Sequence, residues 1–313
     1  MFALLYPATS LLITSILSWS GLRAWRAESR LLKWGGAGLA ALLSTITAIV
    51  SVMLIVGLLK AHSRSAPTAV MKVEGSPEQI RRGQEITDSF CSACHTKTGT
   101  LTGGVDIGEH FPVNVGSFVS SNLTHLGSWT DGDIFSAIRN GVDRDGHWLI
   151  VMTITNASRL SDEDTRSVIA YLRSLPPSGQ PTPNPPDRIS ALGLLMLGAG
   201  MLPMGKPVST AVITAPAKSP TAKYGEYIIS WQDCRECHGK DLTGGVPGQL
   251  PPLGPDLHFV KEWKFEEFLT AMRTGVDPNG HEIGKQMPWQ VVGRMSNDDL
   301  RALYEYLAHL PNA

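Results

Sequence analysis

The sequence predicts an all-α protein in which two N-terminal membrane-crossing helices precede two copies of one helical domain. Three observations support this prediction: two long stretches without charge near the N-terminus, an internal repeat, and helix-capping patterns with few strand-like alternations. The predicted boundaries are 1–62 for the membrane anchor, 70–176 and 222–313 for the two copies, and 177–221 for a Pro-rich linker with a short apolar segment. A chain of 313 residues has room for about two ordinary domains.

The anchor is predicted from residues 1–22 and 34–59, which contain no charged side chain. About 20 apolar residues cross the hydrocarbon layer of a bilayer, so both stretches are long enough. A cleaved signal peptide is the alternative for the first stretch, but such a peptide begins with positive charge. Here the positive charges follow the apolar residues, which favours a retained helix.

The loop between the two stretches determines the predicted topology. Residues 20–33 contain Arg23, Arg26, Arg30 and Lys33 against Glu28 alone. Short cationic loops stay in the cytoplasm. Both ends of the helical hairpin then face outward, so we expect a two-pass protein of the cell membrane whose remaining chain lies in the periplasm or its equivalent.

A third apolar run covers residues 189–204. It has 16 residues and includes three glycines and a proline, which makes it short for a membrane span. We expect it to pack against the repeated domains or to lie at the membrane surface. The linker segments on either side are rich in proline, with six prolines in 176–186, and are expected to be extended chain that separates the domains.

The repeat is visible as matched residues at offsets of 134 and then 135. The pairs are Trp129 with Trp263, Arg139 with Arg273, His147 with His281, Met152 with Met287, Tyr171 with Tyr306 and Pro176 with Pro311. Leu-Thr-Gly-Gly-Val also occurs in both copies, at 101–105 and 242–246. This run is either a tight loop that lets backbone approach a flat ligand or a plain surface turn.

Helix starts can be placed within each copy. Ser76 and Pro77 resemble an N-cap and first-turn proline. Ser161 and Ser296, each followed by acidic residues, predict the starts of amphipathic helices that end near Leu175 and Leu310. Short helices are also predicted over 131–139 and 265–273.

All four cysteines lie in two Cys-x-x-Cys-His runs, Cys91, Cys94 and His95, and Cys234, Cys237 and His238. This run is the attachment signature of c-type haem: two thiols bind the porphyrin and the histidine coordinates iron. A zinc ribbon would need closer pairs, and neither zinc nor a thioredoxin-like redox pair explains the histidine. The sequence therefore predicts two covalently bound haem c groups.

A low-spin carrier also needs a second axial ligand, for which Met152 and Met287 are the candidates because they occupy equivalent positions. Met287 precedes a proline, whereas Met152 precedes Thr153. His147 and His281 are rival ligands. The predicted iron ligands are thus His95, Met152, His238 and Met287.

Further cofactor contacts are predicted at the matched arginines and tryptophans. Arg139, Arg273, Trp129 and Trp263 are candidates to bind haem propionates through guanidinium and indole N–H groups. A solvated arginine and a core tryptophan are the alternatives.

These motifs resemble the haem domains of bacterial membrane-associated c-type cytochromes, especially the cytochrome subunits of alcohol and gluconate dehydrogenases. The resemblance covers about 75–176 and 222–311 and implies class I cytochrome c folds with His/Met haems. Those subunits usually have three haems and Met-Pro at each ligand, and this chain departs on both points. A helical hairpin followed by two haem domains is similar to the dihaem subunit of cbb3-type oxidases.

The resulting functional expectation is electron transfer without catalytic residues. We expect relay of single electrons between a quinol-oxidising or dehydrogenase complex and an oxidase, reaction centre or soluble carrier. Expected partners are membrane redox complex subunits, another cytochrome or small copper protein, and the lipid bilayer; a net charge of −1 gives no basis for nucleic acid. The alternatives are a dehydrogenase cytochrome subunit, a dihaem peroxidase and a mainly structural subunit.

Overall fold

The computed structural model describes residues 2–98, 100–183, 187–249 and 251–311. It confirms the predicted helical class. The helices are, in chain order, α1 (Leu5–Trp25), α2 (Ala37–Ala61), α3 (Pro77–Ile86), α4 (Ser92–His95), α5 (Asp131–Asn140), α6 (Ile150–Ile154), α7 (Asp162–Ser174), α8 (Ala191–Gly198), α9 (Ala222–Trp231), α10 (Cys234–His238), α11 (Phe265–Thr274), α12 (Trp289–Val292) and α13 (Asn297–Ala308). Two short strands, β1 (Gly116–Phe118) and β2 (Asp187–Ile189), pair antiparallel.

The chain forms two compact units, of which the first contains residues up to Ser65, Asp106–Val119 and the segment ending at Gly205. Within it α1 and α2 lie side by side, joined by three hydroxyl pairs. These are Ser10 with Ser51 at 2.8 Å, Thr14 with Thr47 at 2.9 Å and Ser18 with Ser44 at 2.6 Å. The paired residue numbers increase along α1 while they decrease along α2, which shows that the two helices run antiparallel.

One helical stretch in the described part of the chain, Leu32–Ala61, is long and apolar enough to cross a membrane by length and composition. The predicted second crossing by α1 stays a prediction.

The apolar run after the linker prolines forms the short helix α8, which packs against α2 in the first unit. The two helices approach closely because each has a glycine against the backbone of the other. A Cβ at Gly57 of α2 would overlap the Leu194 carbonyl oxygen, and a Cβ at Gly198 of α8 would overlap the Met53 carbonyl oxygen. Lys60 Nζ also donates to the Leu197 carbonyl oxygen at 3.0 Å. The expected neighbours were the repeated domains or the membrane surface. The segment does contact the first copy, since Ser190 N donates to Val115 O at 3.0 Å, and the packing against α2 is a further contact that was not predicted.

The second unit contains both copies of the repeat except Asp106–Val119 of the first copy. Its segments are Ala66–Val105, Ser120–Pro183 and Lys206 onward. In each copy the first and last helices cross at a glycine. Gly83 of α3 faces the Ser167 carbonyl of α7, and Gly225 of α9 faces the Ala302 carbonyl of α13 in the same way. The duplication seen in the sequence is therefore also a duplication of helix packing.

The predicted helix starts are confirmed. The Ser76 hydroxyl accepts from Gln79 N while the Gln79 side chain accepts from Ser76 N, which makes a capping box. Ser161 and Ser296 cap α7 and α13 through the backbone N–H groups of Asp164 and Asp299. Acidic side chains in these first turns add favourable interaction with the helix dipole.

The two copies share one hydrophobic core, which includes Ile86 and Leu160 from the first and Ile228, Trp231 and Leu300 from the second. They pack directly together, whereas the proline content predicted domains separated by a spacer. Part of the spacer runs along the first copy instead: Ile213 exchanges hydrogen bonds with Asp162. Residues 184–186 of the proline-rich segment lie outside the described residues.

We predict that Gly83→Ala destabilises the protein by about 1–3 kcal/mol or more, since the added methyl overpacks the α3–α7 crossing. The measurement is the thermal unfolding midpoint of the purified protein. Gly127→Ala is the matched control, because a Cβ at Gly127 meets no atom within 4 Å. Equal midpoints for the two variants would show that the crossing is not tight.

Candidate haem-attachment sites

Each Cys-x-x-Cys-His run forms one helical turn that ends at its histidine. In the first copy a π-helical turn, Thr87–Cys91, continues α3 into α4. In the second copy Asp233, with φ +58°, separates α9 from α10. Residues three apart face the same side of a helix, so the thiols of each pair share one face. The four cysteines form no disulfide with one another.

The thiols are held in their neutral form. Burial raises the pKa of Cys91 to about 12 and that of Cys234 to about 12. Burial, and the Asp233 carboxylate of the second copy, raise the pKa of Cys94 in the first. A redox-active thioredoxin-like pair needs a lowered thiol pKa, so these surroundings argue against that alternative.

Both histidine rings are oriented by a backbone carbonyl. His95 Nδ1 lies 2.8 Å from Ser121 O, and His238 Nδ1 lies 2.8 Å from Pro255 O. A proton on Nδ1 that donates to the carbonyl leaves Nε2 with a free lone pair, as metal-binding histidines require. Burial lowers the pKa of His95, which favours the neutral, metal-binding ring.

The repeated Leu-Thr-Gly-Gly-Val run is a turn tied to each histidine. Gly103 N donates to His95 O and Gly244 N donates to His238 O, both at 2.9 Å. Leu101 and Leu242 open the two turns with positive φ and are buried. The run is therefore a tight loop beside the histidine, and its approach to a flat ligand stays a prediction.

A further glycine packs against the second histidine ring. A Cβ at Gly254 would lie 2.6 Å from His238 Nδ1, so only glycine fits beside the ring as it stands. The chemistry of the donor set, two thiols on one face and an oriented imidazole, fits covalent haem at both sites.

The two candidate methionine ligands match in sequence but differ in local structure. Met152 is in α6, and Met287 lies just before α12, where Met287 N donates to Gly284 O at 2.9 Å. Both side chains are half-buried, and Met287 packs against the hydrophobic core. Their coordination of iron stays a prediction.

The rival histidines lie on turns at the surface. Their side chains are 44% exposed for His147 and 77% for His281. In each, Nδ1 faces an aspartate, at 3.0 Å from Asp143 and 3.2 Å from Asp277. These two aspartates close the turns by accepting backbone N–H groups as well.

The matched arginines bind protein groups at the start of the last helix of each copy. Arg139 donates to Leu160 O at 2.8 Å and Asp162 Oδ1 at 3.0 Å, and Arg273 to Met295 O at 2.9 Å and Asn297 Oδ1 at 2.8 Å. Trp129 and Trp263 are half-buried. The predicted propionate contacts of these four residues stay predictions.

Some site residues carried no sequence signal. Ser121 and Pro255 act through backbone carbonyls, which no residue type reveals. Asp233 is a half-buried carboxylate directly before Cys234, and desolvation raises its pKa to about 6. Its position directly before the cysteine could have identified Asp233 as a site residue, but the sequence does not show that its side chain is shielded from water.

Comparison with known proteins agrees with this geometry. A family model described as cytochrome c matches residues 80–176 and 222–311, and each matched region contains one Cys-x-x-Cys-His run. A dihaem cytochrome c-type protein of Cereibacter sphaeroides is 25% identical over 263 residues, which cover 76% of this chain and 88% of that protein.

Two dehydrogenase subunits match over shorter regions. The cytochrome c subunit of a quinone alcohol dehydrogenase from Gluconobacter oxydans is 28% identical over 132 residues, 38% of this chain. The gluconate 2-dehydrogenase cytochrome c subunit of Pantoea cypripedii is 30% identical over 121 residues, 34% of this chain. The matches span 26% and 27% of those subunits. Since the family model covers more than half of the chain, the protein belongs to the cytochrome c family, carries two covalently bound haem c groups and functions in electron transfer.

Proposed function

We propose that this protein is a membrane-anchored relay that takes single electrons from a quinol-oxidising or dehydrogenase complex and passes them to an oxidase, a reaction centre or a soluble carrier. The observation that carries the proposal is the repeated site, in which an oriented histidine follows two thiols on one helical face. Bound haem supplies reversible one-electron chemistry between ferric and ferrous iron. The chain binds it, orients the imidazole and excludes water.

His/Met ligation of both irons is part of the proposal. Met152 and Met287 are half-buried at equivalent positions, whereas His147 and His281 are turn residues whose Nδ1 atoms already face aspartates. A thioether opposite histidine favours ferrous iron and raises the reduction potential. Two filled axial positions suit electron transfer and leave no open site for peroxide.

A two-pass anchor is supported by what α1 and α2 expose. Large apolar side chains project outward along both helices, including Leu12 and Ile16 of α1 and Leu42 and Ile49 of α2. Such a surface is stable in lipid and costly in water. The hydroxyl pairs between the helices provide polar contacts inside the hairpin.

The end of the hairpin has the composition of a membrane interface. The Arg23 guanidinium lies 4.2 Å from the Trp19 ring centroid, and Lys33 Nζ lies 5.2 Å from that of Trp25. Trp25 also makes an edge contact with Trp34. Tryptophans and cations concentrate at the headgroup level, and the cations place this end in the cytoplasm.

A subunit of a membrane dehydrogenase is the second candidate, because two matched relatives are cytochrome subunits of such enzymes. The matches cover about a quarter of each of those subunits, so most of their length is not aligned with this chain. In either assembly this chain would transfer electrons, and the partner would supply the substrate chemistry.

We predict that Met287→Ala converts the second haem from low-spin to high-spin and lowers its reduction potential, within the range of about 0.8 V that axial ligands span. Met152→Ala should do the same at the first haem. Optical and electron paramagnetic resonance spectra with a redox titration provide the measurement.

His281→Ala and His147→Ala are the matched controls for these ligand variants. We expect them to keep both low-spin signals. Loss of a low-spin signal in a histidine variant, with no change in the methionine variant, would establish bis-histidine ligation instead.

We predict that alkaline phosphatase fused after Pro311 is active in whole cells, whereas the same enzyme fused after Ala27 is inactive. Changing Arg23, Arg26 and Arg30 together to Gln should reduce this difference, since these charges hold the loop inside. An inactive C-terminal fusion would contradict the proposed two-pass topology.

A further inference from the structure

The two copies contact each other reciprocally at their haem-attachment motifs. In one direction, Asn156, which follows Met152 in the first copy, donates to Asp233 Oδ1 through its backbone N at 2.7 Å and through Nδ2 at 2.6 Å. The same Nδ2 lies 3.0 Å from Glu236, inside the second Cys-x-x-Cys run. The loop after one ligand candidate therefore binds the attachment turn of the other copy.

The opposite direction uses the corresponding loop of the second copy. Arg294 follows Met287, and its Nη1 donates to Ser92 Oγ at 3.2 Å. Ser92 lies between the two cysteines of the first motif. Each attachment turn is thus held by the other copy, which places the two motifs at one shared interface.

An aromatic pair fills the space between the two motifs. Phe90, directly before Cys91, and Trp231, three residues before Cys234, have ring centroids 5.7 Å apart in an edge-to-face arrangement. Beside them Gln232 Nε2 donates to Ser89 O at 3.0 Å. Trp231 is 2% exposed, and its Nε1 has no hydrogen-bond partner among the described residues. The contact is therefore buried on its Trp231 side and half-buried at Phe90.

A buried charge cluster joins the copies next to this pair. The Arg82 guanidinium, 11% exposed, binds Asp164 through two N–H groups at 2.9 and 3.2 Å and binds Asp299 at 3.0 Å. Asp164 and Asp299 are equivalent residues of the two copies, 135 positions apart, and both are buried. One guanidinium therefore bridges the same carboxylate of both copies.

Two tyrosines of the second copy complete the cluster. Arg82 Nη2 donates to Tyr224 Oη at 2.7 Å, and Tyr227 Oη donates to Asp164 Oδ2 at 2.6 Å. Lys218 lies 2.6 Å from Glu85 and 3.7 Å from Asp299. Removing one partner from a buried, hydrogen-bonded ion pair is strongly destabilising because it leaves unpaired charge. Among the described residues, Arg82 is the side chain that hydrogen-bonds to both buried aspartates.

We propose that Arg82 is a positioning residue that fixes the two haem-attachment motifs side by side, so that electrons pass directly between the two haems across the Phe90–Trp231 contact. With both haems bound, ferrous iron at one site would give up one electron and ferric iron at the other would gain it, with no bond made or broken. The inference rests on the proposed relay. The inference adds that the two haems exchange electrons within one molecule and do not act as two independent carriers.

The test measures intramolecular electron exchange in the full-length haem-loaded protein. One haem is reduced by a short radiolytic or laser pulse, and equilibration with the other is followed optically. We expect a rate independent of protein concentration. Arg82→Met should slow it by about tenfold or more, since small losses of positioning have large effects on rates. Each haem should keep its own low-spin spectrum.

Arg81→Met is the matched control. Arg81 is the neighbouring residue, its side chain is 64% exposed, and among the described residues its ion pair is with Glu85, one turn along the same helix. This variant should leave the exchange rate unchanged. A combined variant replaces the three buried charges by apolar groups: Arg82→Met, Asp164→Leu and Asp299→Leu. It leaves no unpaired aspartate of this cluster at the interface, so we expect it to recover much of the exchange rate lost in Arg82→Met.

Phe90→Leu provides a second variant that leaves the ion cluster intact, and we expect it to slow the exchange as well. An unchanged rate in both Arg82→Met and Phe90→Leu would overturn the proposal. A wild-type rate proportional to protein concentration would also overturn it, because exchange would then occur between molecules. If each haem still cycled reversibly in that case, the relay function would stand without direct exchange.

Discussion

The hydrogen bond from each proximal histidine ring to a backbone carbonyl is the interaction on which both sites depend. A histidine that follows Cys-x-x-Cys is close to the iron only if its ring is turned correctly, and one Nδ1–H···O=C bond fixes that angle and the tautomer together. Neighbouring residues hold each histidine in the position that this hydrogen bond requires. The Leu-Thr-Gly-Gly-Val turn ties down the histidine's own carbonyl, and Gly254 leaves room for the ring of His238.

Duplication explains the symmetry of the interface, and electrostatics explains where the symmetry breaks. With Gly83 matched to Gly225, an offset of 142, Arg82 corresponds to Tyr224 and Glu85 corresponds to Tyr227. The two aspartates that face each other near this point are retained in both copies. A second buried arginine there would add an unbalanced positive charge, whereas a tyrosine hydroxyl gives and accepts hydrogen bonds without one.

Local features of this fold were predictable from the sequence, and contacts between distant elements were not. Ser76, Ser161 and Ser296 were identified as caps because a cap depends on the next three or four residues. Arg82 carried no such signal, since an arginine on an amphipathic helix is normally solvated. Its burial arises from the packing of α3 against the second copy, which no local pattern encodes.

The apolar segment and the linker show the same limit. The length of residues 189–204 argued against a full span, and the helix it forms, α8, has eight residues. The packing of α8 on α2 depends on Gly57 and Gly198 meeting backbone in three dimensions, which length does not predict. The prolines of the linker favoured extended chain, and outside β2 and α8 its described residues form no helix or strand. Its hydrogen bonds to Asp162 place it along the first copy, which proline content alone does not predict.

The central claim is that this chain carries two haems, each bound through its own cysteine pair. The most direct measurement is the intact mass of the native polypeptide under denaturing conditions, compared with variants in which Cys91 and Cys94, or Cys234 and Cys237, are replaced by Ser. The account predicts the mass of the chain plus two haems for the wild type and plus one for each variant. A wild-type mass with fewer than two haems would contradict it.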